Sequence, residues 1–177
     1  MAFETIHSEK VFQGRVFDVR RDRVRLPNGN QTRLDIVEHE PAVTLLPVDA
    51  EGRAWLVRQY RHAAGRELLE LPAGVVEPGE TPEACAYREL REEIGMAAGR
   101  LQTAGAFFLA PGYSTEYMYV YIARDLSPAP LEGDEDEVLS VERFPLEQVY
   151  RLAAEGEIHD AKSLAALLLA RPFLMGD

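Results

Sequence analysis

Residues 74–96 carry acidic and basic side chains at a spacing that could bind a divalent cation and hold it against a phosphate. The segment fits the pattern G-x5-E-x7-R-E-U-x-E-E-x-G-U, in which U is an aliphatic residue. The nine specified positions are filled by Gly74, Glu80, Arg88, Glu89, Leu90, Glu92, Glu93, Gly95 and Met96. At average residue frequencies, a match at a given start arises by chance roughly once in a billion. The spacing is therefore a strong functional signal.

Three carboxylates of this segment lie on one side of a predicted helix. Glu89, Glu92 and Glu93 fall within an arc of about 100°. Carboxylates this close repel one another by about a few tenths of a kcal/mol per pair. Hard cations take oxygen ligands, and Mg²⁺ keeps waters and substrate phosphates in its shell. A solvated acidic face is the alternative, but the upstream register of Gly74 and Glu80 argues against it.

The helix that must position these carboxylates has clear ends. Thr81 is a hydroxyl N-cap, Pro82 suits the first helical position, and Gly95 is a typical stop. The apolar face at helical spacing is predicted to contain Ala84, Ala86, Tyr87, Leu90 and Ile94. Cys85 falls among polar positions, so we expect a surface or boundary thiol.

Strands are predicted before and after this helix, and two helices at the end. A β-hairpin is expected over residues 11–39, with an Asn-Gly turn, and a second strand pair around Asp49–Arg53. The remaining elements are predicted as strands at Ala42–Val48, Ala54–Tyr60, Glu67–Leu71, Leu101–Leu109, Tyr117–Ala123 and Val138–Phe144, with helices at Leu146–Ala154 and Ala161–Leu169. Asp160 could cap the last helix. This order favours an α+β fold, an α/β/α sandwich.

Composition limits the class of protein. A chain of 177 residues suits one domain with a small appendage. The net charge of −11 argues against non-specific binding to nucleic acid or to an anionic membrane. We see no signal peptide and no apolar run that could span a bilayer. Because the single cysteine cannot form an internal disulfide, we expect a cytoplasmic protein.

The nine-position pattern resembles the Nudix box, the signature of hydrolases that cleave nucleoside diphosphates linked to another group. The resemblance implies a mixed β-sheet between helices, in a Nudix domain at residues 41–177. Residues 1–40 are additional to that fold and form a predicted N-terminal β element. In one subgroup such an element pairs two subunits, so the resemblance implies a homodimer.

Four segments outside the box are similar to ADP-ribose pyrophosphatases. They are GRVFDV near the N-terminus, IVEHEPAV, VRQYRHAAG followed by LELPAG, and a proline fifteen positions after Met96 in APGYSTE. Ala110 stands where that subgroup commonly has serine, so a contact from that serine is not carried over. The resemblance implies hydrolysis of ADP-ribose to AMP and ribose 5-phosphate. Hydrolysis of another nucleoside diphosphate sugar or dinucleotide, such as GDP-mannose, stays open, as does a non-catalytic ADP-ribose-binding domain.

The resemblance also implies which residues hold the metal ion, Mg²⁺ or Mn²⁺. Glu89 and Glu93 are the expected ligands, with Glu92 bridging or supporting them and the backbone carbonyl of Ala73 joining them. Arg88 can pair with a box glutamate and fix its rotamer. Glu80 is expected to tie the preceding loop to the helix rather than to bind metal.

Several residues are expected to contact the substrate. Arg61 and Arg58 lie three apart on a strand and so face opposite ways; we prefer Arg61. By resemblance, Arg15 reaches the partner subunit's adenosine pocket. Glu77 and Asp35 match positions that lie near ribose or adenine in related enzymes. Tyr113, in a turn, is expected to be a neighbour of the substrate.

The general base has two candidate sources. Related enzymes use either a box glutamate, here Glu92 or Glu93, or a glutamate from a loop before the last strand. In that loop Glu137 fits best and Glu135 is the alternative, although a merely solvated acidic loop is an equal reading. The predicted catalytic residues are therefore Glu93, Glu92, Arg88 and Glu137.

Overall fold

The computed structural model describes residues 2–133 and 138–174 and divides into two compact units. One unit contains Met1–Pro41 with Phe108–Tyr117, and the other contains Ala42–Phe107 with Met118–Asp177. None of the helices in the described ranges is long and apolar enough to cross a membrane.

The first unit is built on a three-stranded antiparallel sheet in the order β1-β2-β3. Its strands are β1 (Glu4–Gln13), β2 (Asp18–Arg25) and β3 (Gln31–Glu38). The predicted hairpin is confirmed as β2 and β3, joined by a turn in which Gly29 has φ 87°. Most of β1 lay outside the prediction. Nearly every residue of β1 is exposed, so the alternation that reveals a half-buried strand is absent.

The second unit contains two sheets. One sheet has the order β7-β4-β9-β8 and comprises β4 (Ala42–Pro47), β7 (Ala73–Val75), β8 (Met96–Phe108) and β9 (Tyr117–Pro128). It is mixed, because β4 runs parallel to β9 and antiparallel to β7. The other is antiparallel, with the order β10-β5-β6, and comprises β5 (Arg53–Arg61), β6 (Arg66–Glu70) and β10 (Leu139–Pro145).

The predicted pairing of the two strands around Asp49–Arg53 is wrong. The strands exist as β4 and β5, but they belong to different sheets and share only an isolated bridge between Val48 and Ala54. All six residues of β4 are buried, so this strand needs a neighbour on each edge and cover on each face. It obtains its neighbours from β7 and β9, which are distant in sequence.

Three helices complete the second unit: α1 (Pro82–Glu93), α2 (Leu146–Glu155) and α3 (Ala161–Leu174). Val43 and Leu45 of β4 pack in a cluster with Leu90 of α1, whereas Leu46 packs in a second cluster with Val149 of α2 and with α3. Alternate side chains of β4 thus enter different cores. The predicted α+β fold with a mixed sheet is confirmed.

The buried face of α1 differs from the predicted one. Cys85 is fully buried rather than at the surface, and its Sγ donates to the carbonyl of Val75 at 3.4 Å. Burial raises the pKa of this thiol far above its usual value, so it stays protonated. Ala84 is exposed, whereas Glu89 and Glu93 are buried. The helix therefore turns its carboxylates toward the sheet, and Cys85 turns inward with them.

Candidate active site

The two ends of α1 fix the register of its charged residues. The Thr81 hydroxyl accepts a hydrogen bond from the amide of Ala84 at 3.2 Å, Pro82 begins the helix, and Gly95 follows it with φ 70°. These are the predicted boundaries, and each satisfies groups that a helix end leaves open. The site residues of α1 are therefore held by a helix with defined caps.

Arg88 is the centre of a cluster of carboxylates. Its Nε and Nη2 donate to the two carboxylate oxygens of Glu80, each at 3.0 Å. Its Nη1 donates to Glu89 at 2.6 Å and to Glu92 at 2.8 Å, and Nη2 also reaches the carbonyl of Val75 at 3.1 Å. The hydrogen bonds that Arg88 donates to Glu80 are the first cause that raises the pKa of Arg88, and they in turn lower the pKa of Glu80. Arg88 therefore stays charged.

Two carboxylates of α1 lie against the backbone of β7. Glu93 is 5% exposed and accepts a hydrogen bond from the amide of Ala73 at 3.0 Å. Glu89 is 7% exposed, and its carboxylate fills the space in which a Cβ on residue 74 would stand. Only glycine therefore fits at Gly74 while Glu89 keeps its place. The glycine at the start of the sequence pattern thus has a steric reason.

The charged residues of this segment form what we call the α1 cluster, which consists of Glu80, Arg88, Glu89, Glu92 and Glu93. The cluster has four carboxylates and one guanidinium, which bonds to Glu80, Glu89 and Glu92, so by this count it has an excess of negative charge, and burial makes that excess costly. Its oxygen donors suit a hard divalent cation. Among the described residues, no three His, Cys, Asp or Glu side chains already converge as a metal site. The donor set fits a cation, although Arg88 pairs with three of the carboxylates, two of which, Glu89 and Glu92, are predicted metal ligands.

The two arginines of β5 have separate partners. Arg61 forms two hydrogen bonds with the carboxylate of Glu70, at 2.8 and 2.7 Å. Arg58 donates to Glu142 of β10 at 2.5 Å. The pKa of Arg61 is raised by Glu70 first, with a smaller contribution from Glu93 of the α1 cluster. Of the two arginines, Arg61 is thus the one whose pKa is raised in part by a carboxylate of the box, Glu93.

The other predicted substrate contacts are divided between the two units. Glu77 lies between β7 and α1, where its amide donates to Glu80 at 3.1 Å. Arg15, Asp35 and Tyr113 lie in the first unit. The carboxylate of Asp35 is held by Arg21 at 2.7 Å. Tyr113 is exposed in a turn anchored to β3, where its carbonyl accepts from the amide of Val37 at 2.7 Å.

Glu137 and Glu135 lie outside the described residues. The segment that precedes them is anchored to α1, because the amide of Leu131 donates to the carbonyl of Arg91 at 3.0 Å. Gly133 lies beside the backbone of Glu92. The acidic loop therefore begins next to the C-terminal end of the helix that carries the cluster.

A group of charged residues that the sequence analysis did not predict is joined to Arg61 through Glu70. Glu70 also accepts from Lys162, and Lys162 pairs with Asp160. Glu70 and Lys162 are 92 positions apart, so no local spacing brings them together. An isolated charge within an otherwise apolar strand, as in Leu68–Leu71, was the one available signal.

Comparison with known proteins defines the class. The model of the NUDIX domain matches residues 38–167, and the model of the nucleoside diphosphate sugar hydrolase N-terminal domain matches residues 3–33. The chain therefore belongs to the Nudix family. The predicted resemblance and enzyme class, a Nudix hydrolase, are confirmed.

Individual relatives cover almost the whole chain. It is 40% identical over 166 residues to an ADP-ribose pyrophosphatase of Bacillus subtilis. This match covers 93% of this chain and 90% of that protein. It is 38% identical over 177 residues to an ADP-ribose pyrophosphatase of Mycobacterium tuberculosis, with 98% and 86% covered. A crystal structure of an ADP compounds hydrolase superposes with a TM-score of 0.90 at 30% identity, covering 99% of this chain and 96% of that one.

Proposed function

We propose that this protein is a metal-dependent pyrophosphohydrolase that converts ADP-ribose to AMP and ribose 5-phosphate. The observation that carries the proposal is the burial of Glu89 and Glu93 against the backbone of Ala73 and Gly74. An excess of buried carboxylates calls for a cation, and a pyrophosphate needs one for hydrolysis near neutral pH. The names of the relatives support ADP-ribose as the substrate.

The metal would be held by Glu89 and Glu93, with Glu92 supporting them and the carbonyl of Ala73 as a further oxygen ligand. When bound, Mg²⁺ or Mn²⁺ neutralises charge on the diphosphate and lowers the pKa of an attacking water. Arg88 keeps Glu89 and Glu92 oriented through hydrogen bonds of 2.6 and 2.8 Å. Orientation by such outer partners is part of how metal sites work.

The substrate would be bound by charged and polar side chains. Arg61 contacts the diphosphate, because a guanidinium matches phosphate oxygens in a bidentate way, and Arg58 is the alternative arginine for this contact. Glu77 and Asp35 lie near the ribose or adenine, and Tyr113 is a neighbour of the substrate. Arg15 belongs to the adenosine pocket of the partner subunit.

A glutamate activates the water. The candidates are Glu92 and Glu93 in the α1 cluster, and Glu137 or Glu135 in the acidic loop that begins beside α1. We expect Glu137→Gln to lower kcat by about a hundredfold while metal affinity stays nearly unchanged, as for the loss of a general base. Glu132→Gln, an exposed glutamate just before this acidic run, is the matched control. Near-wild-type kcat in both Glu137→Gln and Glu135→Gln would assign the base to the cluster.

The protein acts as a homodimer, paired through residues 1–40. The first unit supports this, because its sheet and adjoining turn expose the large apolar side chains of Phe3, Val11, Phe12, Val16 and Phe17. Exposed apolar groups in such number are typical of an interaction surface. Deleting residues 1–40 should abolish dimerisation, seen by light scattering, and most activity. A fully active monomeric truncation would refute the dimer.

The free, buried Cys85 is consistent with a cytoplasmic location.

A second substrate range has a specific observation in its favour. The superposed crystal structure is that of an ADP compounds hydrolase, so other ADP-linked compounds are the first alternative to ADP-ribose. GDP-mannose would require a different base pocket. A domain that binds ADP-ribose without hydrolysing it would not need four box carboxylates.

The experiment separates these outcomes. Purified protein is incubated with ADP-ribose, GDP-mannose, diadenosine polyphosphates, NADH and FAD, in Mg²⁺, Mn²⁺ or EDTA, and the products are resolved by chromatography. AMP and ribose 5-phosphate that need metal and disappear in Glu93→Gln are the expected result. Faster turnover of another compound would replace the substrate, and ADP-ribose binding with no turnover would overturn catalysis.

A further inference from the structure

Glu70, the last residue of β6, is the most buried carboxylate outside the α1 cluster. It is 2% exposed, and both of its oxygens are used. One accepts from Arg61 Nε at 2.8 Å, and the other accepts from Arg61 Nη2 at 2.7 Å and from Lys162 Nζ at 2.5 Å. Two cations thus converge on a single buried carboxylate.

The far side of Lys162 is anchored at the start of α3. Its Nζ donates to Asp160 at 2.7 Å, and Asp160 also accepts from the amide and hydroxyl of Ser163. The same hydroxyl accepts from the amide of Leu71 at 2.7 Å. We call Arg61, Glu70, Asp160 and Lys162 the Glu70 network. It joins the N-terminal end of α3 to the end of β6, three residues before Ala73.

The Glu70 network is balanced, with two acids and two bases. A buried ion pair often adds little stability over apolar side chains of the same volume, so its presence calls for another reason. The geometry of Arg61 supplies one. Nε and Nη2 face Glu70, and within residues 2–133 and 138–174 no hydrogen bond uses Nη1. Arg61 is also 41% exposed in its side chain, so this edge of the guanidinium is open.

We propose that Glu70 and Lys162 are positioning residues that hold the Arg61 guanidinium with its open edge toward the diphosphate of the substrate, an inference that rests on the proposed function. A guanidinium is a planar fork, so fixing one edge on a carboxylate also fixes the direction of the other. Lys162 shares the Glu70 carboxylate with Arg61 and is itself held by Asp160, so both cations keep Glu70 in place. Neither Glu70 nor Lys162 needs to touch the substrate.

A double-mutant cycle tests whether Glu70 acts through Arg61. Steady-state hydrolysis of ADP-ribose with Mg²⁺ is compared in wild type, Glu70→Gln, Arg61→Ala and the double variant. Glu70→Gln alone should raise KM about tenfold and leave kcat within about threefold, because it loosens a binding group. In the Arg61→Ala background the same change should alter KM by less than about twofold. Glu67→Gln, an exposed glutamate on the same strand, is the matched control.

The contrary result is equally defined. A similar rise of KM in both backgrounds, or no rise in Glu70→Gln alone, would make Glu70 a structural residue and overturn the proposal. If Glu70→Gln does not fold, Lys162→Met takes its place in the same cycle, with Lys162→Arg expected to restore KM. If wild type hydrolyses no substrate, the proposed function fails. Calorimetric binding of Mg²⁺-pyrophosphate to the same four proteins then measures the coupling between Glu70 and Arg61 without turnover.

Discussion

The α1 cluster and the Glu70 network are both groups of buried charges in the same unit, yet they differ in charge balance. The α1 cluster has four carboxylates and one guanidinium, whereas the Glu70 network has two carboxylates and two cations. Burying an uncompensated charge is costly, but a paired and hydrogen-bonded charge is tolerated. By this count the first group has an excess of negative charge, which we call incomplete, and the second is balanced, which we call complete.

This difference predicts different uses for similar residues. An incomplete acidic group gains free energy when a cation enters, so it is suited to bind. A complete group gains nothing from a further ion and is suited to hold its members in place. Glu93 and Glu70 are both nearly inaccessible glutamates, so the same substitution in each can test the comparison.

Gly74→Ala should have the largest effect, because it disrupts the α1 cluster without changing any charge. A Cβ at this position would overlap the Glu89 carboxylate and displace it. We expect kcat/KM to fall by about 10–100-fold, the range seen when the groups that orient a metal site are lost. Metal titration of the activity gives the measurement. An enzyme with unchanged metal dependence would show that the position of the Glu89 carboxylate does not matter for metal binding.

Glu70→Gln should destabilise the folded protein by roughly 3 kcal/mol, because it leaves Arg61 without its carboxylate and Lys162 with Asp160 alone. Urea unfolding measures the change. Glu142→Gln is the control, since its pair with Arg58 is partly solvent-exposed and should contribute about 1 kcal/mol or less. Equal losses of unfolding free energy in the two variants would mean that burial does not make the ion pairs of Glu70 more stabilising than the partly exposed pair of Glu142.

Acid should weaken the Glu70 network. Burial alone would raise the pKa of Glu70, but the hydrogen bonds and charges of Arg61 and Lys162 outweigh it, so the folded pKa lies below the usual 4.5. The stabilisation is therefore complete above pH 4.5 and is lost as the pH falls through the folded pKa. Between these values wild type should lose stability more steeply than Glu70→Gln. Parallel pH profiles would contradict the assigned pairing.

Glu93→Gln should have the smallest effect on stability, and of opposite sign. In EDTA, removing one charge from the α1 cluster relieves repulsion, and the amide oxygen can still accept from Ala73. We expect a gain of about 0.5 kcal/mol in the free energy of unfolding, at the cost of activity. A loss as large as that of Glu70→Gln would remove the distinction between the two groups.

The sequence predicted the α1 cluster because all its members lie within one helix and the turn before it. Its caps, glycine and carboxylate spacing are local signals. Cys85 was placed wrongly because helical periodicity assigned the buried face from apolar residues, whereas the helix also buries Glu89 and Glu93. The pairing of β4 with β5 failed because adjacency along the chain does not reveal a change of sheet. The Glu70 network is assembled from β5, β6 and the start of α3, and only the folded chain brings these together.

The central claim, that the α1 cluster is incomplete without a cation, is tested most directly by binding of Mn²⁺ without substrate. Calorimetric titration compares wild type with Glu93→Gln and with Glu83→Gln, an exposed glutamate on the same helix. We expect Glu83→Gln to bind within about twofold of wild type and Glu93→Gln to bind at least about tenfold more weakly. Equal affinity in all three proteins would contradict the claim.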